Sequence, residues 1–227
     1  MSRQNSEANL VTFVNPNSPI SEAYRTLRTN IQFSSIDHPV QVIMCASAQS
    51  GEGKTTTISN LAVTYAHEGK NVLLIDADLR KPTLHNVFVT SNRVGLSNLI
   101  AGQCALPEVT VETRIDHLSV IPSGPVPPNP SELLGSQRMR AIMKDIRSRY
   151  DIILLDTPPV LAVPDSLIVS SLSDGVIMVV QAGKVKSDMV RKAKAGLEHA
   201  KARILGVVLN RIKRNENAQF IRYYGSK

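Results

Sequence analysis

Apolar residues along this chain fall into two kinds of run. Short, nearly continuous stretches at residues 40–46, 71–75, 118–121, 151–155, 176–181 and 204–209 are rich in Val, Ile and Leu. Such runs predict strands buried on both faces. Between them lie longer segments with helical periodicity: Ile20, Ala23, Leu27 and Ile31 in the first, then residues 54–67, 96–101, 131–149, 166–172 and 187–200. Ser18 and Pro19 suit the opening of the first helix, and Gly69 the end of the second. The proline-rich connection at residues 122–130 lacks the donors that regular structure needs. Alternating strands and helices imply parallel pairing through right-handed crossovers. We therefore expect an α/β fold, a three-layer P-loop arrangement with a mainly parallel central sheet flanked by helices.

Composition narrows the class. At 227 residues, with 42% hydrophobic and 20% charged, the chain suits one soluble domain with a sizeable core. Only its ends are too polar to pack, which predicts a flexible lead at 1–17, a domain at 18–212 and a flexible tail at 213–227. Two cysteines, Cys45 and Cys104, give neither a disulfide framework nor a zinc spacing. No signal-like leader and no window near the roughly 18 apolar residues of a membrane span are found, so a cytoplasmic protein without direct membrane insertion is expected. The net charge of +7 comes from scattered basic residues, with mild clustering at 184–201 and 211–214. A solvated helix face accounts for these clusters. Aromatics are 4% of the chain and do not interleave with the charges, so no nucleic-acid partner is expected.

The candidate chemistry starts at residues 48–55, A-Q-S-G-E-G-K-T, between an apolar strand and a helix. Successive backbone N–H groups and a helix start can converge on phosphate oxygens there, provided small residues let the backbone approach. Ser50, Gly51, Glu52, Gly53, Lys54, Thr55 and Thr56 form this loop, with Lys54 supplying charge to the β and γ phosphates and Thr55 a hydroxyl to Mg²⁺. Ala48 replaces the usual first glycine, which costs little if its φ is negative. Two acidic signals follow: Asp76-Ala77-Asp78-Leu79-Arg80 after one strand and Asp156-Thr157-Pro158-Pro159 after another. Carboxylates at the carboxyl ends of parallel strands face the crevice that holds the loop, where a metal needs them. Any one of them also suits a helix cap, Asp76 in particular.

Together these residues resemble the bacterial tyrosine kinases of capsule and exopolysaccharide synthesis, relatives of the MinD and ParA ATPases. The resemblance extends to S-P-I-S-E-A-Y-R-T-L-R, D-A-D-L-R-K-P, G-P-V-P-P-N-P-S-E-L-L and the R-Y-Y tail. It implies an ATP-dependent protein tyrosine kinase in which Lys54 and Thr55 handle phosphate and Mg²⁺, and Asp76 and Asp156 serve the metal. Asp78 would accept the proton of an attacking tyrosine hydroxyl. Asn210 would meet the nucleobase, although asparagine after a strand is also a common turn residue. Glu22, Arg25 and Arg28 would join subunits in a homo-oligomeric ring, whereas by spacing alone they are an intrahelical ion pair and its neighbour. Tyr223 and Tyr224 would be autophosphorylated, the alternative being a tail anchored by aromatic packing. The resemblance also implies protein tyrosine substrates and a membrane-bound modulator whose cytoplasmic tail recruits the chain to the inner face of the cell membrane.

Two rivals share the loop. One is a MinD- or ParA-like ATPase that phosphorylates nothing; its loop resembles G-K-G-G-x-G-K-T, and Gln49 stands where its extra lysine would be. The other is a weakly catalytic, nucleotide-dependent scaffold of the polysaccharide machinery.

Overall fold

The computed structural model describes residues 10–34 and 39–212. In chain order the elements are α1 (Val11–Val14), α2 (Pro19–Phe33), β1 (Val42–Ala46), α3 (Lys54–Ala66), β2 (Val72–Asp76), α4 (Leu84–Val87), α5 (Leu96–Ala101), α6 (Leu106–Val109), β3 (Val111–Glu112) and β4 (Leu118–Ile121). They continue with α7 (Pro130–Leu134), α8 (Gln137–Arg147), β5 (Ile152–Asp156), α9 (Asp165–Ser170), β6 (Gly175–Gln181), α10 (Ser187–His199) and β7 (Ile204–Asn210).

The strands form one seven-stranded sheet among the described residues, in the order β3-β4-β2-β5-β1-β6-β7. Every neighbouring pair is parallel except the short edge pair β3–β4. β1, β2 and β5 are buried along their whole length. Helices cover both faces, as the unbroken apolar runs require. One core layer joins Met44, Leu73 and Leu155 to Met139, Met143 and Leu197. The other joins Ile43, Leu74 and Leu154 to Ile58, Leu61 and Tyr65 of α3. The three-layer α/β expectation therefore holds.

Two expectations are corrected. The single helix expected over residues 131–149 is two, because Ser136 adopts extended backbone and its hydroxyl accepts the Met139 N–H, starting a new helix. The described part of the expected flexible lead, residues 10–17, carries α1 instead. Leu10 is buried in the core. Thr12 donates both its N–H and its hydroxyl to Oδ1 of Asn60 on α3, at 3.0 and 2.9 Å. The apolar stretch of residues 10–14 is short and flanked by polar residues, so the sequence did not show that Leu10 and these hydrogen bonds attach it.

Candidate nucleotide-binding site

The sheet order puts β1 beside β5, and β5 beside β2. Their carboxyl ends meet at one place, where Cys45 pairs in register with Asp156 and Asp156 with Asp76. The connections leaving these three strands supply the phosphate loop and both acidic segments. The floor is tied together by Thr157 Oγ1 donating to Cys45 O at 2.8 Å, Ala77 N to Asp156 O at 2.8 Å, and Val160 N to Ser47 O at 2.9 Å.

Within the loop Ala48 is buried, and it is absent from the described non-glycine residues with positive φ. Replacing the usual glycine thus carries no backbone strain. Gly51 and Gly53 do have left-handed backbones, with φ of 83° and 96°. Gly53 is also the N-cap of α3, so the helix starts at Lys54 with its N–H groups aimed into the loop. Lys54 is buried and its Nζ donates to Ser47 Oγ at 3.0 Å.

The Glu52 side chain has partners within the protein. Its carboxylate is buried, with Oε1 accepting from Gln49 N at 2.6 Å and Oε2 from Gln181 N at 3.3 Å. Its side chain thus braces the loop against β6. Asn210 Nδ2 donates to the Glu52 carbonyl at 2.9 Å, so the end of β7 supports the same loop.

The acidic centre has a definite wiring. Thr55 Oγ1 donates to Asp156 Oδ2 at 2.5 Å and lies 3.1 Å from Thr83 Oγ1. Asp76 Oδ2 accepts the N–H groups of Thr83 and Leu84, both at 3.0 Å, and Oδ1 accepts that of Asp78 at 3.2 Å. Asp76 therefore does hold a turn and the start of α4, while also standing beside Asp156. Asp78 Oδ1 accepts from Arg80 N and Lys81 N at 3.2 and 3.0 Å.

Burial raises the Asp156 pKa to about 6, partly opposed by the Thr55 hydrogen bond and Lys54. Asp76 is pushed well up by burial and then by the Asp156 charge, against the two bonds from Leu84 and Thr83. Two buried carboxylates side by side resist joint ionisation unless a cation joins them. Asp156 Oδ1 is a buried atom with no hydrogen-bond partner. That orphan, the Thr55 hydroxyl and the adjacent carboxylate of Asp76 fit a hard divalent cation with oxygen ligands. Among the described residues no set of three or more acidic, His or Cys side chains could hold a metal. Mg²⁺ here would thus share its ligands with nucleotide phosphates, as such ions commonly do.

Of the helix motif, Arg25 pairs with Glu22 and also donates to Pro16 O at 2.8 Å. Arg28 Nη1 donates to Thr64 O on α3 at 2.7 Å, so it fastens α2 to the domain. Tyr223 and Tyr224 lie outside the described residues. Sequence reasoning missed roles for Thr83, Arg80, Ser131 and Asp165, which depend on contacts between distant segments. The only local signals were Pro164-Asp165 at a helix start and the arginine in D-A-D-L-R.

Residues 40–204 match the family model described as AAA domain. Tyrosine-protein kinase YwqD of Bacillus subtilis (strain 168) is 42% identical over 221 residues, 97% of this chain and 93% of that protein. Tyrosine-protein kinase CpsD of Streptococcus agalactiae is 38% identical over 206 residues, 90% and 88% of the two. Among solved structures, the chimerical protein CapA2B2 superposes with a TM-score of 0.89 at 40% identity, covering 91% of each chain. The kinase domain of Escherichia coli tyrosine kinase ETK gives 0.85 at 36%, over 90% and 82%. MinD of Pyrococcus horikoshii OT3, solved with Mg-ADP, gives 0.66 at 26%, over 77% and 71%. With its phosphate loop, paired acids and full-length likeness to YwqD, the chain belongs to the bacterial tyrosine-protein kinases, a branch of the P-loop ATPases related to MinD.

Proposed function

We propose that the chain is an ATP-dependent protein tyrosine kinase that autophosphorylates Tyr223 and Tyr224 and regulates exopolysaccharide or capsule synthesis and export. The observation that carries the site chemistry is the convergence of Thr55, Asp76 and Asp156, with the orphaned Oδ1 of Asp156, below a loop bearing Lys54. The names of YwqD and CpsD support tyrosine as the acceptor.

In this reading the loop N–H groups and Lys54 bind the β and γ phosphates and hold them in line for attack. Thr55 turns its hydroxyl hydrogen to Asp156, which leaves its lone pairs facing the crevice. Bound Mg²⁺ would supply charge neutralisation at the transferring phosphate. Asp78, half-buried at the crevice edge, takes the tyrosine proton; phosphoryl transfer depends mainly on positioning and charge neutralisation, so this is a small part of the rate enhancement. Asn210 stands against the loop, within reach of the role of nucleobase contact.

Family membership also supports a membrane-bound modulator that recruits and activates the chain. No helix among the described residues is long and apolar enough to cross a membrane. Glu22 and Arg25 on α2 are the partly exposed members of the motif assigned to a ring of subunits, with Arg28 holding α2 in place.

The test is transfer of label from γ-labelled ATP. Label on Tyr223 or Tyr224 that disappears in Lys54→Met supports the kinase reading. ATP hydrolysis with no labelled tyrosine sinks it and leaves the MinD-like ATPase.

A further inference from the structure

Three distant segments meet at one buried carboxylate. Asp165, at the start of α9, is fully buried. Arg80 Nε donates to its Oδ2 at 2.9 Å and Arg80 Nη2 to its Oδ1 at 3.0 Å, a two-pronged pair. Ser131 of α7 donates to Oδ1 at 2.6 Å and accepts from Arg80 Nη2 at 3.0 Å. Arginine, carboxylate and hydroxyl thus close a ring joining α7, α9 and the segment after β2. Burial raises the Asp165 pKa, but the bonds from Arg80 and Ser131 outweigh it and hold the carboxyl below its ordinary range. Asp165 is accordingly charged at neutral pH.

Arg80 is held at its other end too. Its backbone N–H and that of Lys81 donate to Asp78 Oδ1, while the N–H of Asp78 donates to Asp76 Oδ1. The Asp78 carboxylate therefore accepts from the backbone of Arg80, whose side chain is anchored on Asp165. A buried ion pair is weak evidence for stability, since apolar packing often does as well. A planar fork gripping a carboxylate at two points does fix orientation.

We infer that Asp165, acting through Arg80, is a positioning residue that sets the aim of the Asp78 carboxylate in the crevice. This rests on the phosphoryl-transfer reading of the site. The effect of Asp165 passes through the backbone of residues 78–81.

The experiment compares wild type with Asp165→Asn, Asp78→Asn and the double variant. Arg80→Lys, at a side chain 37% exposed, serves if Asp165→Asn does not fold. Amide hydrogen exchange is read without nucleotide, and ATP hydrolysis and tyrosine labelling are read with it. In Asp165→Asn the amides of Arg80 and Lys81 should exchange at least about tenfold faster. Its kcat should fall by about 10- to 100-fold with KM for ATP within about threefold, as a small misplacement of a reacting group does. In the Asp78→Asn background, Asp165→Asn should lower kcat no further. Unchanged exchange at these two amides overturns the inference. So does an equal fall in kcat with and without Asp78, or a loss confined to KM. If wild type hydrolyses ATP but labels no tyrosine, the kinase reading fails and the same comparison is made on hydrolysis. Labelled tyrosine together with a fully active Asp165→Asn leaves the kinase reading standing and overturns this one.

Discussion

A Cβ on Gly53 would lie 2.0 Å from Nδ2 of Asn210. The phosphate loop and the Asn210 side chain at the end of β7 therefore approach so closely that any side chain on Gly53 would displace that amide. Gly51 has the same left-handed backbone but open space around it. The two glycines separate crowding from backbone strain. Gly51→Ala should cost about 1–2 kcal/mol in stability from backbone strain alone. Gly53→Ala should cost more and should weaken nucleotide binding further, because the Asn210 side chain must give way and lose its bond to the Glu52 carbonyl. Adding Asn210→Ala should recover part of the second loss and none of the first. Chemical denaturation with a fluorescent ADP titration measures both, and equal effects at the two glycines would contradict the close approach.

Asp156 gives a stability prediction with a definite sign. A carboxylate raised to about 6 in the native state binds its proton more tightly there than in the unfolded chain. Native stability is then lost as pH rises from about 4 through about 6, and the loss is complete above that, at roughly 2–3 kcal/mol. Asp156→Asn should therefore raise the metal-free melting temperature at pH 7.5 by several degrees, while abolishing turnover. The difference from wild type should grow between pH 4 and 6 and be flat above. A variant that melts lower than wild type at pH 7.5 would show that Asp156 is not strained.

At the opposite end of the sheet Asp174 behaves in the reverse sense. Its Oδ2 accepts from Gln41 N and Val42 N at 3.0 and 2.7 Å, and Arg147 grips both oxygens at 2.9 and 2.7 Å. Burial opposes its ionisation, but Arg147 and the two N–H groups outweigh burial and lower its pKa. Its contribution is present above the unfolded pKa and is lost as pH falls through the lower, native one. Asp174→Asn should cost about 1–2 kcal/mol at pH 7, after allowing for partial exposure. Urea midpoints of variant and wild type should converge below about pH 4. A gap as wide at pH 3 as at pH 7 would argue against an ionic contribution.

The hydrogen bonds from Thr12 to Asn60 should also be measurable. Asn60→Ala leaves the Thr12 N–H buried without its acceptor and its hydroxyl with only the Asn60 carbonyl at 3.4 Å, at a cost of about 1–3 kcal/mol. Thr12→Val removes only the hydroxyl and should cost less. Limited proteolysis should then cut first near α1 in Asn60→Ala, and unaltered cleavage would count against the anchoring of this segment.

Much of this was legible in the chain because it depends on local pattern. The strands show as short β-branched runs, and the loop shows because phosphate binding demands glycine at fixed spacing. Asp156 was legible because it ends a buried strand in a chain that also carries a phosphate loop and a second acidic segment, a convergence that a lone helix cap does not explain. Asp165 was not, since its partners are 85 and 34 residues away. The break before α8 was missed because the apolar periodicity runs on through Ser136, and a single capping hydroxyl decides it. Glu52 belongs to the loop as expected, but β6 turns its side chain into a brace, which only the folded sheet reveals.

The sheet order also bears on when the site comes into being. β1, which leads into the phosphate loop, is flanked by β5 and β6, whose partner residues lie more than 100 positions later in the chain. The Gln181 amide that holds Glu52, and the Asn210 amide that holds its carbonyl, come later still. On a ribosome the loop therefore emerges more than 100 residues before the strands that wall it. A nascent chain released short of β6 should thus carry every residue of A-Q-S-G-E-G-K-T and bind no nucleotide, so that ATP binding reports completed synthesis of the domain.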